Sequence, residues 1–218
     1  MNSLDNLKSS IIGQFGTPCS VIDLDIVETN IHRAQQICDA AGVANRPHIK
    51  THKSPFMAKM QLKAGASGIT CQKLGEAEVM ADAGIYDILI ATNILGAARS
   101  GRLTKLQKKI PLKVCADNSV SLKEYSKAAQ AANRPLDVLI ECDTGQKRAG
   151  VEKTSEALNL IKSIIEDKWL KFIGLLYYPT LDGWEDTQLF HDDLTKKLDE
   201  LNLKAKIVST GGTPNFAN

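Results

Sequence analysis

Arg46-Pro47-His48-Ile49-Lys50-Thr51-His52-Lys53 is the stretch on which the reading of this chain turns. Proline lacks a backbone N–H, is barred from helix interiors and biases the preceding residue to an extended conformation. Read as a strand, residues two apart share a face, so Arg46, His48, Lys50 and His52 line one side. A buried cationic row is costly unless something anionic sits against it. A desolvated lysine in such a place loses its proton readily, which suits it to Schiff-base chemistry. Ser54-Pro55 follows as a helix N-cap with proline at the first helical position. Lys50 therefore falls at the carboxyl end of a strand, where α/β proteins carry their chemistry. The competing reading, a solvated strand end, rests on the general rarity of buried Lys and Arg.

Outward from this stretch, short β-type runs alternate with amphipathic helical ones. Strands are expected near Ser20 to Leu24, His48 to Lys50, Gly68 to Cys71, Asp87 to Ala91, Leu112 to Ala116, Asp137 to Cys142, Phe172 to Tyr177 and Lys206 to Ser209. Between them, Val27, Ile31, Ala34, Cys38 and Ala41 make one helix face. Leu158, Ile161 and Ile165 make another behind an N-cap at Thr154, and Leu194, Leu198 and Leu201 a third. Gly65, Gly84 and Asn133-Arg134-Pro135 punctuate element ends. Regular strand–helix alternation predicts a parallel sheet with helical crossovers. No linker or charge block divides the chain, so residues 1–218 read as one domain.

The length of 218 residues allows one sizeable core. A net charge of +2 with interspersed signs makes no case for nucleic acid. No apolar run approaches a transmembrane span, and residues 1–14 lack a signal-peptide apolar stretch. Cys19, Cys38, Cys71, Cys115 and Cys142 are odd in number and without Cys-x-x-Cys spacing. They read as reduced, mostly buried thiols of a cytoplasmic protein rather than a zinc site.

Other strand ends carry polar groups. In Ser209-Thr210-Gly211-Gly212-Thr213-Pro214, consecutive glycines let backbone N–H groups turn toward an anion, although a plain strand-to-helix turn has the same composition. Gln72 closes a strand, as polar residues commonly do. Glu76 and Glu78 read as helix N-terminal charges favoured by the dipole. Asp143 to Gly150 follows a strand and contains Arg148, either a surface-loop arginine or a guanidinium aimed at a ligand ring. Tyr177-Tyr178-Pro179 closes another strand. His32 and His191 fall in helical stretches and read as exposed.

The run from Arg46 to Pro55 resembles the cofactor-lysine segment of the D-threonine aldolase and D-serine dehydratase-like family. Similar segments follow in that family's order: Thr17-Pro18 with Val21 to Asp25, Cys71-Gln72-Lys73 with Glu76 to Asp82, Asp87 to Ile90, Glu141 to Gln146 with Arg148, and Ser209 to Thr213. The resemblance implies an α/β fold, an alanine-racemase-type (β/α) barrel. The first strand lies outside the barrel in this family, which leaves about seven of its eight strands. The eighth strand and a C-terminal β domain are expected beyond Asn218, so the sequence reads as an incomplete piece.

The resemblance further implies that Lys50 holds pyridoxal 5′-phosphate (PLP), with His48 and His52 beside it. Gln72, Arg148 and Tyr178 match cofactor-contacting positions, and Thr210, Gly211, Gly212 and Thr213 match the phosphate turn. The substrate is then a β-hydroxy D-amino acid, cleaved to glycine and an aldehyde or dehydrated to an oxo acid and ammonia. A divalent metal assists on the β-hydroxyl in the family; its His-x-Asp or His-x-Cys ligands lie in the C-terminal domain, and no residue of this chain is assigned to it. A full-length member is implied to be a homodimer, with no nucleic-acid or membrane partner. Thr180-Leu181-Asp182-Gly183-Trp184 departs from the His-Gly segment of D-threonine aldolases, which leaves the substrate open. A non-catalytic PLP carrier and a racemase remain the rival readings.

Overall fold

The computed structural model describes residues 3–212 and residue 216. Six strands, β1 (Ile69–Cys71), β2 (Ile88–Ile90), β3 (Leu112–Ala116), β4 (Leu136–Cys142), β5 (Leu170–Tyr177) and β6 (Ile207–Ser209), form one parallel sheet in chain order. Before β1 come α1 (Ser3–Phe15), α2 (Leu24–Ala40) and α3 (Pro55–Lys63). The crossovers are α4 (Leu74–Asp82), α5 (Ala97–Lys109), α6 (Ser119–Ala132), α7 (Thr154–Glu166) and α8 (Trp184–Asp199). Strictly sequential strand order with a helix in every connection is that of an opened (β/α) barrel.

Burial on both sides of the strands explains their composition. In β4, Leu136, Val138, Leu139 and Ile140 are all fully buried. Leu136, Val138 and Ile140 join the large core between sheet and helices, which includes Ile88, Val114, Ile161 and Leu194. Leu139 points the other way, into a smaller cluster with Leu89, Cys115, Ile173 and Leu176 on the inner face. Each such side chain contributes about 1.5–3 kcal/mol of transfer free energy.

Side-chain caps set three of the helix starts. Asp23 caps α2 by accepting from the N–H groups of Asp25 and Ile26 at 3.0 and 3.2 Å. Ser54 caps α3 ahead of Pro55, as the sequence predicts. Asn118 caps α6 through the Ser121 N–H at 2.9 Å, and Asn133 ends that helix in the left-handed region.

Several expectations need correction. No strand forms near Ser20 to Leu24: Leu24 begins α2, and Val21 and Ile22 lie exposed with no strand to pair with. His48 to Lys50 is no full strand either. It makes one parallel bridge, His48 to Thr70, and then turns. Among the described residues the incomplete barrel thus has six full strands, and the His48 bridge stands where the seventh is expected. The α7 face is Ala157, Leu160, Ile161 and Ile164, while Ile165 is exposed and the N-cap is Lys153 rather than Thr154. Leu201 is 42% exposed, because α8 ends before it. Cys38, Cys71, Cys115 and Cys142 are buried free thiols, and Cys19 is exposed.

Candidate active site

The carboxyl ends of parallel strands share one edge, and the segments that leave that edge carry the residues of interest. Ile49 donates its N–H to Thr70 O, and Thr70 donates to Pro47 O, which ties the Lys50 segment alongside β1. A single helical turn follows, closed by Lys53 N–H to Ile49 O at 2.8 Å, with Lys53 at φ 51°. Lys50 sits in this turn, exposed, and among the described residues it forms no ion pair.

The cationic row does not line one face. Arg46 lies at the far end of the sheet, where its guanidinium meets Asp87 at 2.6 Å; Lys113 reaches the same carboxylate at 2.9 Å. Burial opposes the Asp87 charge, but these two cations outweigh it and hold its carboxyl below the usual range. Its anionic partner is thus a carboxylate of the protein. His52 turns toward the start of α3: its Nδ1 accepts from Ser54 N–H at 3.0 Å, and its buried Nε2 and the buried Gln61 Oε1 lack well-formed partners. Only His48 and Lys50 remain together, because the turn after Ile49 breaks the two-residue period.

His48 is fixed at both ring nitrogens. Lys50 N–H lies 3.3 Å from Nδ1, and Nε2 lies 3.1 Å from Gln72 Oε1. A backbone N–H can only donate, so Nδ1 is the acceptor and Nε2–H donates to Gln72. Burial, then the Lys50 charge, lowers the His48 pKa, so the ring is neutral at pH 7. Gln72, matched in sequence to a cofactor contact, thus has its carbonyl committed to His48. Its backbone N–H donates to Glu76 Oε2 at 2.8 Å, and Glu76 Oε1 meets Lys53 Nζ at 3.2 Å. Glu76 is therefore no solvated helix-dipole charge; it is buried and paired.

Arg148 rides on a loop that folds back on β4. Asp143 accepts from Gly145 and Arg148 N–H groups, each at 2.9 Å, and Gly150 N–H donates to Asp117 at 3.0 Å. Val151 N–H then bonds Glu141 O, and Asp143 N–H bonds Val151 O. The Arg148 guanidinium carbon stands 4.6 Å above the Tyr178 ring. Gly212 lies against the same ring, since a Cβ there would fall 2.8 Å from Tyr178 Cε2. Arg148, Tyr178 and Gly212 are thus one constellation, with Gly211 beside it and Thr210 exposed. Thr213 lies outside the described residues.

Composition did not single out Asp117, Asp143 or Glu141 for a role, though Asp143-Thr144-Gly145 has the form of an Asx turn. His191 is not freely exposed: its Nδ1 lies 3.2 Å from the Tyr177 hydroxyl. Among the described residues no group of three His, Cys, Asp or Glu side chains is placed to hold a metal ion.

Glu141 shares the inner face of β4 with Leu139 by strand alternation and is 5% exposed. Burial, aided by Asp117 and Asp143 and opposed by Arg148, pushes its carboxyl up to about 7. The unfolded chain releases this proton near the ordinary 4.5, so between about 4.5 and 7 the folded chain binds more protons. The stability contributed by this group is present at pH 4.5 and lost as pH rises to 7, with a slope on the order of 1 kcal/mol per pH unit. Glu141→Gln should flatten that slope in urea unfolding between pH 5 and 7.5; an unchanged slope would assign it to other groups.

Residues 22–218 match the alanine racemase N-terminal domain, and the chain belongs to that family. Among curated relatives, it is 38% identical over 167 residues to the D-threonine aldolase of Arthrobacter sp, covering 77% of this chain and 44% of that one. It is 34% identical over 210 residues to the D-threo-3-hydroxyaspartate dehydratase of Delftia sp. (strain HT23), covering 91% and 55%. The crystal structure of D-threonine aldolase from Filomicrobium marinum superposes with a TM-score of 0.88 at 32% identity, covering 92% of this chain and 57% of that one. The chain thus spans about half the length of the curated relatives it matches.

Proposed function

We propose that the chain is the PLP-binding part of a lyase that acts on β-hydroxy D-amino acids, cleaving them in the manner of a D-threonine aldolase. The observation that carries this is the gathering of Lys50, His48 and Gln72 after one end of a parallel sheet, with Arg148, Tyr178 and the Gly211–Gly212 turn leaving the same carboxyl edge further along. Its relatives of known activity include both an aldolase and a dehydratase of such substrates.

The residues suit PLP. Among the described residues Lys50 is an exposed amine without a carboxylate partner, which suits a lysine that forms a Schiff base. Gly212 packs where a side chain would strike Tyr178, and at Gly211 nothing lies within 4 Å of where a Cβ would stand, which suits the turn to a phosphate. PLP, when bound, acts as an electron sink for an amino acid attached to it. Neutral His48 holds the Lys50 backbone and keeps a second cation out of the site. Arg148, stacked on Tyr178, presents N–H donors to an acidic ring or carboxylate. A divalent metal on the substrate hydroxyl is proposed for the whole protein, where Lewis-acid polarisation eases loss of that proton. Cytoplasmic location, a single domain over residues 1–218 and homodimerisation belong to the same proposal.

Product analysis with the protein from the complete gene, supplied with PLP, tests it. D-threonine should yield glycine and acetaldehyde, and a chelator should stop turnover. Ammonia and an oxo acid from D-serine or D-threo-3-hydroxyaspartate would make the protein a dehydratase instead. Bound PLP with no turnover of any of these would favour the carrier, and exchange of alanine enantiomers the racemase.

A further inference from the structure

We propose that Glu76 is a positioning residue for Lys50, acting through the Lys53 ammonium and Gln72. This rests on the reading of Lys50 as the cofactor lysine. Four contacts form one connected path around the Lys50 turn. Lys50 N–H donates to His48 Nδ1, His48 Nε2–H to Gln72 Oε1, Gln72 N–H to Glu76 Oε2, and Lys53 Nζ meets Glu76 Oε1. Lys53 returns to the start of the turn through its N–H on Ile49 O. Both carboxylate oxygens are used, one on each side of the segment that bears Lys50.

Three observations separate this from an ordinary surface ion pair. The Glu76 side chain is only 6% exposed, whereas that of Lys53 is 53% exposed, so removing the cation strands a buried charge. Lys53 is a non-glycine residue at positive φ, a conformation that persists where the surroundings over-determine it. Burial opposes the Glu76 charge, yet the Gln72 N–H and the Lys53 ammonium prevail and hold its carboxyl below the usual range. Among the described residues Glu76 makes no hydrogen bond to Lys50 or His48, although its charge reaches the His48 ring. It fixes the Gln72 backbone from which Oε1 reaches His48, and thereby the tautomer that receives the Lys50 N–H.

The experiment compares Glu76→Gln, Lys53→Ala, Lys53→Arg and the double variant Glu76→Gln/Lys53→Ala in the protein from the complete gene. Ring-¹⁵N spectra report the His48 tautomer, and borohydride trapping with peptide mapping reports the rate at which PLP reaches Lys50. In the unsubstituted chain His48 should carry its proton on Nε2 alone. Glu76→Gln and Lys53→Ala should mix the two tautomers and slow trapping by about 10- to 100-fold, the scale on which misplacing a reacting group or losing its supporting partners acts. Lys53→Arg keeps the cation and should keep both signals. The double variant should be no slower than either single one, because both break the same contact. A lowered melting temperature with unchanged tautomer and trapping would reduce Glu76 to a structural ion pair and overturn the proposal. Equal losses in Lys53→Arg and Lys53→Ala would also overturn it, and these two decide the matter if Glu76→Gln fails to fold. Should the unsubstituted protein from the complete gene trap no PLP at Lys50, the cofactor reading falls, and the His48 tautomer alone then decides whether Glu76 orders the turn.

Discussion

Lys50→Ala should abolish covalent capture of PLP. In the unsubstituted chain, incubation with PLP followed by borohydride should place the pyridoxyl label on the peptide containing Lys50. Lys50→Ala should remove it completely, and so should Lys50→Arg, since a guanidinium stays protonated and cannot form the bond. The neighbouring amine is not a substitute: Lys53 Nζ is held by Glu76 at 3.2 Å. Lys113, Lys109 and Lys197 are likewise engaged with carboxylates. Label of undiminished yield in Lys50→Ala, or a label that maps to another lysine in the unsubstituted chain, would defeat the assignment. Full labelling with no turnover by the complete protein would instead leave Lys50 in place and favour the carrier.

Gly150→Ala should be the most damaging single methyl group near the site. The backbone there has φ 110°, and a Cβ would fall 2.6 Å from Asp143 N and 2.7 Å from Cys142 C. Those contacts are backbone, so no side chain can swing aside. Strain at a glycine-type conformation costs about 1–3 kcal/mol. Overpacking adds about 1–3 kcal/mol. A combined loss of roughly 3 kcal/mol lowers the melting temperature by about 6–12 °C in a chain of this size. The Gly150 N–H to Asp117 bond goes with it, and Arg148 loses its register over Tyr178. Gly13→Ala is the control: it lies in α1 with nothing within 4 Å of a Cβ, and should be neutral or stabilising. Equal melting temperatures for the two variants would show that the loop yields at Gly150, contrary to its packing.

Much of this molecule is legible in the sequence because local rules coincide with the global fold. The apolar runs of β3 and β4, Ser54-Pro55 ahead of α3, and Asn118 with Asn133 around α6 each specify their element through a few neighbouring residues. Such agreement between propensity, capping and pattern is what allows strand–helix alternation to be read as a parallel sheet with helical crossovers, while the barrel was what the family resemblance implied. The order of motifs from Lys50 to Gly212 was likewise available without coordinates.

What sequence could not decide is where pairing partners lie. The run from Arg46 to His52 has a strand's composition, yet only His48 has a ladder partner, Thr70, and the turn after it sends Lys50 and His52 different ways. Val21 and Ile22 have β propensity, but among the described residues no strand lies beside them. Glu76 has a helix-start position that the dipole alone explains; its partners Lys53 and Gln72 become visible only when the turn is folded against β1. Asp117 and Gly150 lie far apart in the chain, and nothing in either segment announces their hydrogen bond. The sequence by itself determined the alternation of strands and helices and, through its resemblance to a known family, pointed to Lys50 as the amine proposed to carry the chemistry, because capping, apolar pattern and motif order are all short-range. The tertiary structure alone decided which charges are paired, which tautomer His48 holds and which glycine cannot change, because those depend on contacts between segments distant in the chain.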